Sequence, residues 1–257
     1  MDYLSAVICG PGKVRAQNQD NFYLNGIYRE SVYDVGISNF NSIVSGSALY
    51  AVADGMGGEK HGELASLYAV QLLDAVDPII GNPMLYNYLM NRNSDICDLI
   101  LEQKGARSGT TFVGLSLSDN RADVINIGDS RAYLFRKGQM KQISKDHTSI
   151  RQMVDLGIIT PEAARKHPDR HRLTQHLGIF PDEMIIEPYT VRGLIMPGDI
   201  FLLCSDGLYE MVDDIHIQTI VTSRKSVSER AQELYDAAMN AGGEDNITVL
   251  LVAVLEK

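Results

Sequence analysis

Six runs of four to nine residues, 48–53, 111–117, 122–127, 132–135, 200–204 and 247–255, are rich in Val, Ile, Leu and aromatic residues and bounded by Gly, Asp or Asn. Such runs form strands, because Gly, Asp and Asn favour turns and each run is too brief for a helix of ordinary length. Four of the boundaries carry a carboxylate. Asp54 directly follows 48–53, Asp129 follows 122–127 across Gly128, Asp206 follows 200–204 across Ser205, and Asp245 stands just before 247–255. A chain that buries these strands has to collect rigid carboxylates at the rim of its core.

The links between the runs set the architecture. Ser118-Asp119-Asn120 and Lys137-Gly138-Gln139 read as hairpin turns, so neighbouring strands run antiparallel. Helical spacing joins Ala65, Tyr68, Ala69, Leu72, Leu73 and Val76, and again Ala231, Leu234, Tyr235 and Ala238, the second series ending at Gly242-Gly243. A third helix is expected over 84–102. Helices grouped between blocks of hairpin strands indicate an α+β fold, with sheets packed on each other and helices covering them. Residues 28–47 are Ser-, Asn- and Gly-rich and read as a long hairpin loop. Residues 147–177 hold Pro161, Pro168 and four of the six histidines, and read as a surface excursion with a short helix. Neither an internal repeat nor a Pro/Gly/Ser linker divides the 257 residues, so a single domain is expected.

Charge removes some functions. With 33 acidic and 23 basic residues the net charge is −10, the opposite of the basic footprint that holds nucleic acid. Cys9, Cys97 and Cys204 form neither a CxxC pair nor an even set, which argues for a reducing compartment, the cytoplasm, and against a disulfide framework or cysteine zinc site. The N-terminal residues lack the basic and apolar blocks of a signal peptide, and the longest apolar run, 249–255, falls far short of a membrane span, so no membrane attachment is expected.

Rigid carboxylates that converge repel one another and raise one another's pKa unless a cation lies between them. An all-oxygen donor set without His or Cys pairs favours a hard ion, Mg²⁺ or Mn²⁺. Glycines following Asp54 and Asp206 would let backbone approach a ligand closely. Arg15 and Asp20, in Arg15-Ala16-Gln17-Asn18-Gln19-Asp20, add a guanidinium fork suited to phosphate and a fifth carboxylate.

In order along the chain stand Arg15 with Asn18-Gln19-Asp20, Asp54-Gly55-Met56-Gly57-Gly58, Ser108-Gly109-Thr110-Thr111, Gly128-Asp129-Ser130-Arg131, Ser144-Lys145-Asp146-His147-Thr148, Ser205-Asp206-Gly207-Leu208 and Asp245-Asn246-Ile247-Thr248-Val249. This order resembles the metal-dependent protein phosphatases of the PPM or PP2C family, in their compact bacterial serine/threonine form, over nearly the whole chain. The resemblance implies a four-layer αββα sandwich, two mostly antiparallel sheets flanked by helices, with a flap at about 147–177, the whole of 1–257 forming one catalytic domain. It implies two ions of Mn²⁺ or Mg²⁺: Asp54 bridging both, the Gly55 carbonyl on one, Asp206 and Asp245 on the other, and Asp20 acting through bound water. Asp129 with Asp206 match the ligands of a third, weaker ion in bacterial members, and Arg15 matches the residue that holds substrate phosphate. The implied reaction is direct attack of a metal-bridging hydroxide on phosphoserine or phosphothreonine of proteins, without a phosphoenzyme. The implied partners are phosphorylated proteins, among them a Ser/Thr kinase and its substrates, met by a monomer.

Two positions depart from the eukaryotic pattern: Met56 stands where many members have a proton-donating His, and Gln19 where they often have Glu. His61 and His147 are the histidines nearest in motif order, although a lone polar His is more often a surface residue. The alternative from another class, a catalytically weak phosphoprotein-binding module of the same fold, is opposed by retention of Asp20, Asp54, Asp129, Asp206 and Asp245. A two-metal nuclease lacks the basic surface it would need, and the acidic pair Asp213-Asp214 lacks the context of a haloacid-dehalogenase-type nucleophile.

Overall fold

The computed structural model describes residues 1–56, 61–102, 108–164 and 167–255. One sheet has the strand order β3 (Ser38–Ser45), β1 (Asp2–Gly10), β12 (Ile247–Val254), β11 (Ile200–Cys204), β8 (Arg131–Arg136) and β9 (Gln139–Gln142). The other runs β10 (Tyr189–Leu194), β7 (Arg121–Ile127), β6 (Phe112–Ser118), β4 (Ala48–Met56) and β2 (Asp20–Leu24), with the short β5 (Gly109–Thr110) on the end of β4. Every pairing is antiparallel. Both expected hairpins close on two-residue turns with positive φ, 47° and 64° at Asp119 and Asn120 and 52° and 77° at Lys137 and Gly138. That geometry matches the right-handed twist of the flanking strands.

Alternate side chains of the central strands serve two cores, which is why their apolar runs are continuous. Val7, Cys9, Val52, Leu115, Leu203 and Leu250 meet between the sheets. Ile8, Leu202 and Leu251 face the opposite way, against α6 (Asp214–Val221) and α7 (Val227–Ala241). Ala51, Ala53 and Ile125 pack under α1 (Gly62–Val70) and α2 (Asn82–Glu102). The result is the expected helix–sheet–sheet–helix stack. Helix α7 begins on a capping box in which Ser226 and Glu229 satisfy each other's backbone amides, and ends at Gly242.

Three expectations change. The helix expected over 65–76 stops at Val70: Leu72 takes φ 61° and is exposed, and a 3-10 turn, Leu73–Ala75, carries Leu73 and Val76 back into the core. The spacing of Leu72, Leu73 and Val76 continues the helical stripe, so the break at Leu72 is not written in the apolar period. The loop expected over 28–47 contains β3, paired along its whole length with β1. Its Ser/Asn composition suits an exposed edge, and the partner backbone rather than local pattern makes it a strand. Within 147–177 there are two helices, α3 (Ser149–Asp155), capped by Thr148, and α4 (Pro161–Ala164). β1, β2, β9 and β10 were not marked by the apolar runs.

Candidate metal centre

The carboxylates converge at one end of the sandwich because the strand ends that carry them are neighbours. In the β2–β4 ladder Asp20 lies directly opposite Asp54. The β11–β12 ladder places Asp206, first residue of the single-turn helix α5 (Asp206–Tyr209), beside the segment that carries Asp245. Asp129 sits in the turn from β7 to β8. A cavity of about 560 Å³ opens there, lined by Arg15, Asp54, Gly55, Asp129, Asp206 and Asp245. Asp20 lies behind it, 1% exposed.

Glycine is required beside two of these carboxylates, and the room is taken by backbone rather than by a ligand. A Cβ at Gly55 would lie 2.2 Å from the Gly62 carbonyl oxygen, and one at Gly207 2.0 Å from that of Asn246. The Asp-Gly pairs let chain segments of the site pack against each other.

Hydroxyls fix the Asp54 main chain and one oxygen of Asp20. The Asp54 amide donates to Thr111 Oγ1 at 3.0 Å, and its carbonyl accepts from the Thr110 hydroxyl and the Thr111 amide, both at 2.9 Å. Asp20 Oδ2 accepts from the Ser205 and Thr248 hydroxyls, both at 2.7 Å, while its Oδ1 is buried without a partner. Asp206 Oδ1 is likewise buried and unpartnered. Asn246 holds the Arg15 loop, donating to the carbonyls of Pro11 and Gln17 and accepting from the Gln19 amide.

Burial, with mutual repulsion added, pushes the carboxyls of Asp54 and Asp206 well above the usual range. Burial raises Asp20 to about 6 despite its two hydroxyl donors, and Asp129 to about 7, where Asp146 adds and Arg131 subtracts. Unpaired buried oxygens and raised carboxyls mark a site that lacks compensating positive charge. The oxygen-only donors fit a hard divalent ion. Among the described residues, no three His, Cys, Asp or Glu side chains enclose an ion by themselves. Main-chain oxygen and water must complete its shell, as Mg²⁺-like ions allow.

Arg15 reaches the cavity, and its guanidinium bonds Asp245 Oδ2 at 2.7 Å, both side chains partly exposed. The histidines that line the cavity are His171 and His176. His171 Nδ1 stands 3.9 Å from Asp206 Oδ2. His61 and His147 do not line it; His147 Nδ1 accepts from the Gly128 amide and so braces the Asp129 turn. Met56 lines the cavity, while Gly57 and Gly58 lie outside the described residues. Sequence reasoning missed the supporting roles of Ser205, Thr248, Asn246 and Thr111. All four lie inside motifs already marked, which was the signal available.

Among the described residues no helix is long and apolar enough to cross a membrane. The family model described as Protein phosphatase 2C matches residues 25–152. Protein phosphatase PhpP of Streptococcus pneumoniae is 34% identical over 255 residues, covering 96% of this chain and 95% of that protein. Serine/threonine protein phosphatase PstP of Mycobacterium tuberculosis is 36% identical over 231 residues, 86% of this chain but 43% of the relative, so the chain spans less than half of that protein. The crystal structure of the catalytic domain of PstP in complex with two manganese ions superposes with a TM-score of 0.79 at 32% identity, covering 100% of both chains. With the sandwich, the carboxylate rim and a relative matched nearly end to end, the chain belongs to the protein phosphatase 2C family.

Proposed function

We propose that this protein hydrolyses phosphoserine and phosphothreonine on other proteins, using two divalent cations, Mn²⁺ or Mg²⁺, in the cavity at the end of the sandwich. The observation that carries this reading is the cluster of five carboxylates, two of them with a buried, unpartnered oxygen, Asp20 Oδ1 and Asp206 Oδ1, whose mutual repulsion bound cations would offset. In this assignment Asp54, the Gly55 carbonyl, Asp206 and Asp245 would hold the two ions, with Asp20 supporting them from behind, and Asp129 with Asp206 would serve a third, weaker ion. The ions would supply Lewis acidity and lower the pKa of water toward neutrality.

The chain's own residues do the rest. Arg15, partly exposed at the cavity beside Asp245, would hold phosphate oxygens, to which its planar fork offers two parallel hydrogen bonds. Thr111, through the Asp54 backbone, and Ser205 with Thr248, through Asp20, keep the carboxylates in place as charge moves. No protein nucleophile is called for, in keeping with the burial of all three cysteines, and these free thiols also suit a cytoplasmic setting. The substrates follow as phosphoproteins made by a Ser/Thr kinase, the kinase included, met by a monomer whose residues 1–257 form one catalytic domain with 147–177 as its flap.

The test is hydrolysis of p-nitrophenyl phosphate and of a phosphothreonine peptide by wild type and Asp206→Asn, with Mn²⁺, Mg²⁺ or EDTA. Turnover with metal, none in EDTA, and loss of at least a hundredfold in the variant support the assignment. Turnover in EDTA or an active variant overturns the mechanism, and no turnover with either metal leaves the phosphoprotein-binding module as the function.

A further inference from the structure

Asp129 and Asp206 come from different sheet ends, and both line the cavity. One residue spans the gap. Tyr209 closes the same helical turn that begins at Asp206, and its hydroxyl donates to the Asp129 carbonyl at 3.1 Å. Its ring lies under the Arg131 guanidinium, with Cζ 3.6 Å from the ring centroid. Arg131 is itself fixed by a fork onto Asp146, the shortest contact 2.6 Å, and by the Tyr133 hydroxyl at 3.1 Å. On the other side of the turn, Ser130 Oγ meets Thr111 Oγ1 at 2.6 Å, and Thr111 holds the Asp54 amide. A continuous set of contacts thus runs from Asp206 through Tyr209 to the Asp129 turn and on to Asp54.

We infer that Tyr209 is a positioning residue: its hydroxyl and its stack on Arg131 hold the Asp129 turn against the Asp206 helix, so the two carboxylates face each other before any cation arrives. The cost of bringing like charges together is then met during folding and not on binding, which raises affinity for an ion placed between them. The stack on a partly buried guanidinium that is itself fixed gives the ring a set orientation, and an aromatic cation contact is stronger when shielded from water. The Arg131–Asp146 fork explains the coexistence of the Gly128-Asp129-Ser130-Arg131 and Asp146-His147 motifs: one supplies the guanidinium that the other anchors.

This inference rests on the proposed metal assignment. It is tested by calorimetric titration of Mn²⁺ into the whole chain, as wild type, Tyr209→Phe and Tyr88→Phe. Tyr209→Phe keeps the ring over Arg131 and removes only the hydroxyl. Tyr88→Phe removes a comparable hydroxyl, which donates to the Ala69 carbonyl at 3.0 Å far from the cavity, and so reports a purely structural loss. The expected result is that Tyr209→Phe weakens the weakest Mn²⁺ step about two- to tenfold, the worth of one such hydrogen bond, with the tightest step unchanged. In Tyr88→Phe every step should match wild type. Melting in EDTA confirms that both variants are folded. Unaltered binding in Tyr209→Phe, or equal weakening of all steps, overturns the inference while leaving the phosphatase reading intact. Failure of wild type to bind Mn²⁺ overturns both.

Discussion

Asp129→Asn should make the metal-free protein more stable, by an amount that grows with pH. Asp129 is 6% exposed, and burial next to Asp146 raises its carboxyl from 3.8 to about 7 in the folded chain. A group whose folded pKa lies above its unfolded value binds a proton more tightly when folded. Its contribution to stability is fully present below the unfolded value near 3.8 and is lost as pH rises through about 7. With those two values, ionising this carboxylate costs the folded state roughly 2 kcal/mol at pH 5 and roughly 4 kcal/mol at pH 8. The isosteric amide carries no charge at either pH. The advantage of the variant over wild type should therefore widen by roughly 2–3 kcal/mol between pH 5 and pH 8, or roughly 5–10 °C in melting temperature for a chain of this size. Relief of the repulsion on Asp206 acts in the same direction. The assay is thermal unfolding followed by circular dichroism in EDTA at pH 5, 6, 7 and 8, repeated with saturating Mn²⁺. Cation binding should reverse the ranking at pH 8, because wild type gains stability from the ion in proportion to its affinity and the variant gains less. A gap that does not change with pH, or a variant less stable than wild type at pH 8 without metal, would refute the account of the cluster as uncompensated buried charge.

Arg15→Lys should raise KM for a phosphopeptide about tenfold at saturating Mn²⁺, with a smaller change in kcat, because a lysine ammonium cannot give the bidentate fork; unchanged kinetics would remove Arg15 from the substrate. Gly207→Ala should cost at least about 1–3 kcal/mol, since its Cβ would stand 2.0 Å from the Asn246 carbonyl oxygen and backbone cannot yield. Its melting temperature in EDTA and its Mn²⁺ affinity should fall together, and a wild-type melt would show that Asp206 and Asp245 tolerate displacement of their strand ends.

How far the chain was legible follows from the range of each interaction. The apolar runs of β4, β6, β7, β11 and β12 announce themselves because these strands are buried on both faces, and that of β8 because its middle residues are. β3 and β10 lie at sheet edges, largely exposed, and owe their conformation to a partner strand remote in sequence. Local composition could not mark them. Leu72 shows the converse failure: the helical period continues past Val70 in sequence, while the left-handed backbone at Leu72 ends the helix and leaves that side chain exposed.

For the site, the sequence by itself placed the candidate carboxylates Asp54, Asp129, Asp206 and Asp245 at strand ends, because an apolar run and the polar residues that bound it are a local signature. The tertiary structure decided everything that depends on distance. It set Asp20 opposite Asp54, left Asp20 Oδ1 and Asp206 Oδ1 buried and unpartnered, and gave the glycines to backbone packing. It also brought His171 and His176 to the cavity in place of His61 and His147, and put Tyr209 between Asp206 and Asp129. Burial, repulsion and hydrogen bonding act through a few ångströms of space, and residues as far apart as Asp20 and Thr248 acquire those distances only when the sheets have packed.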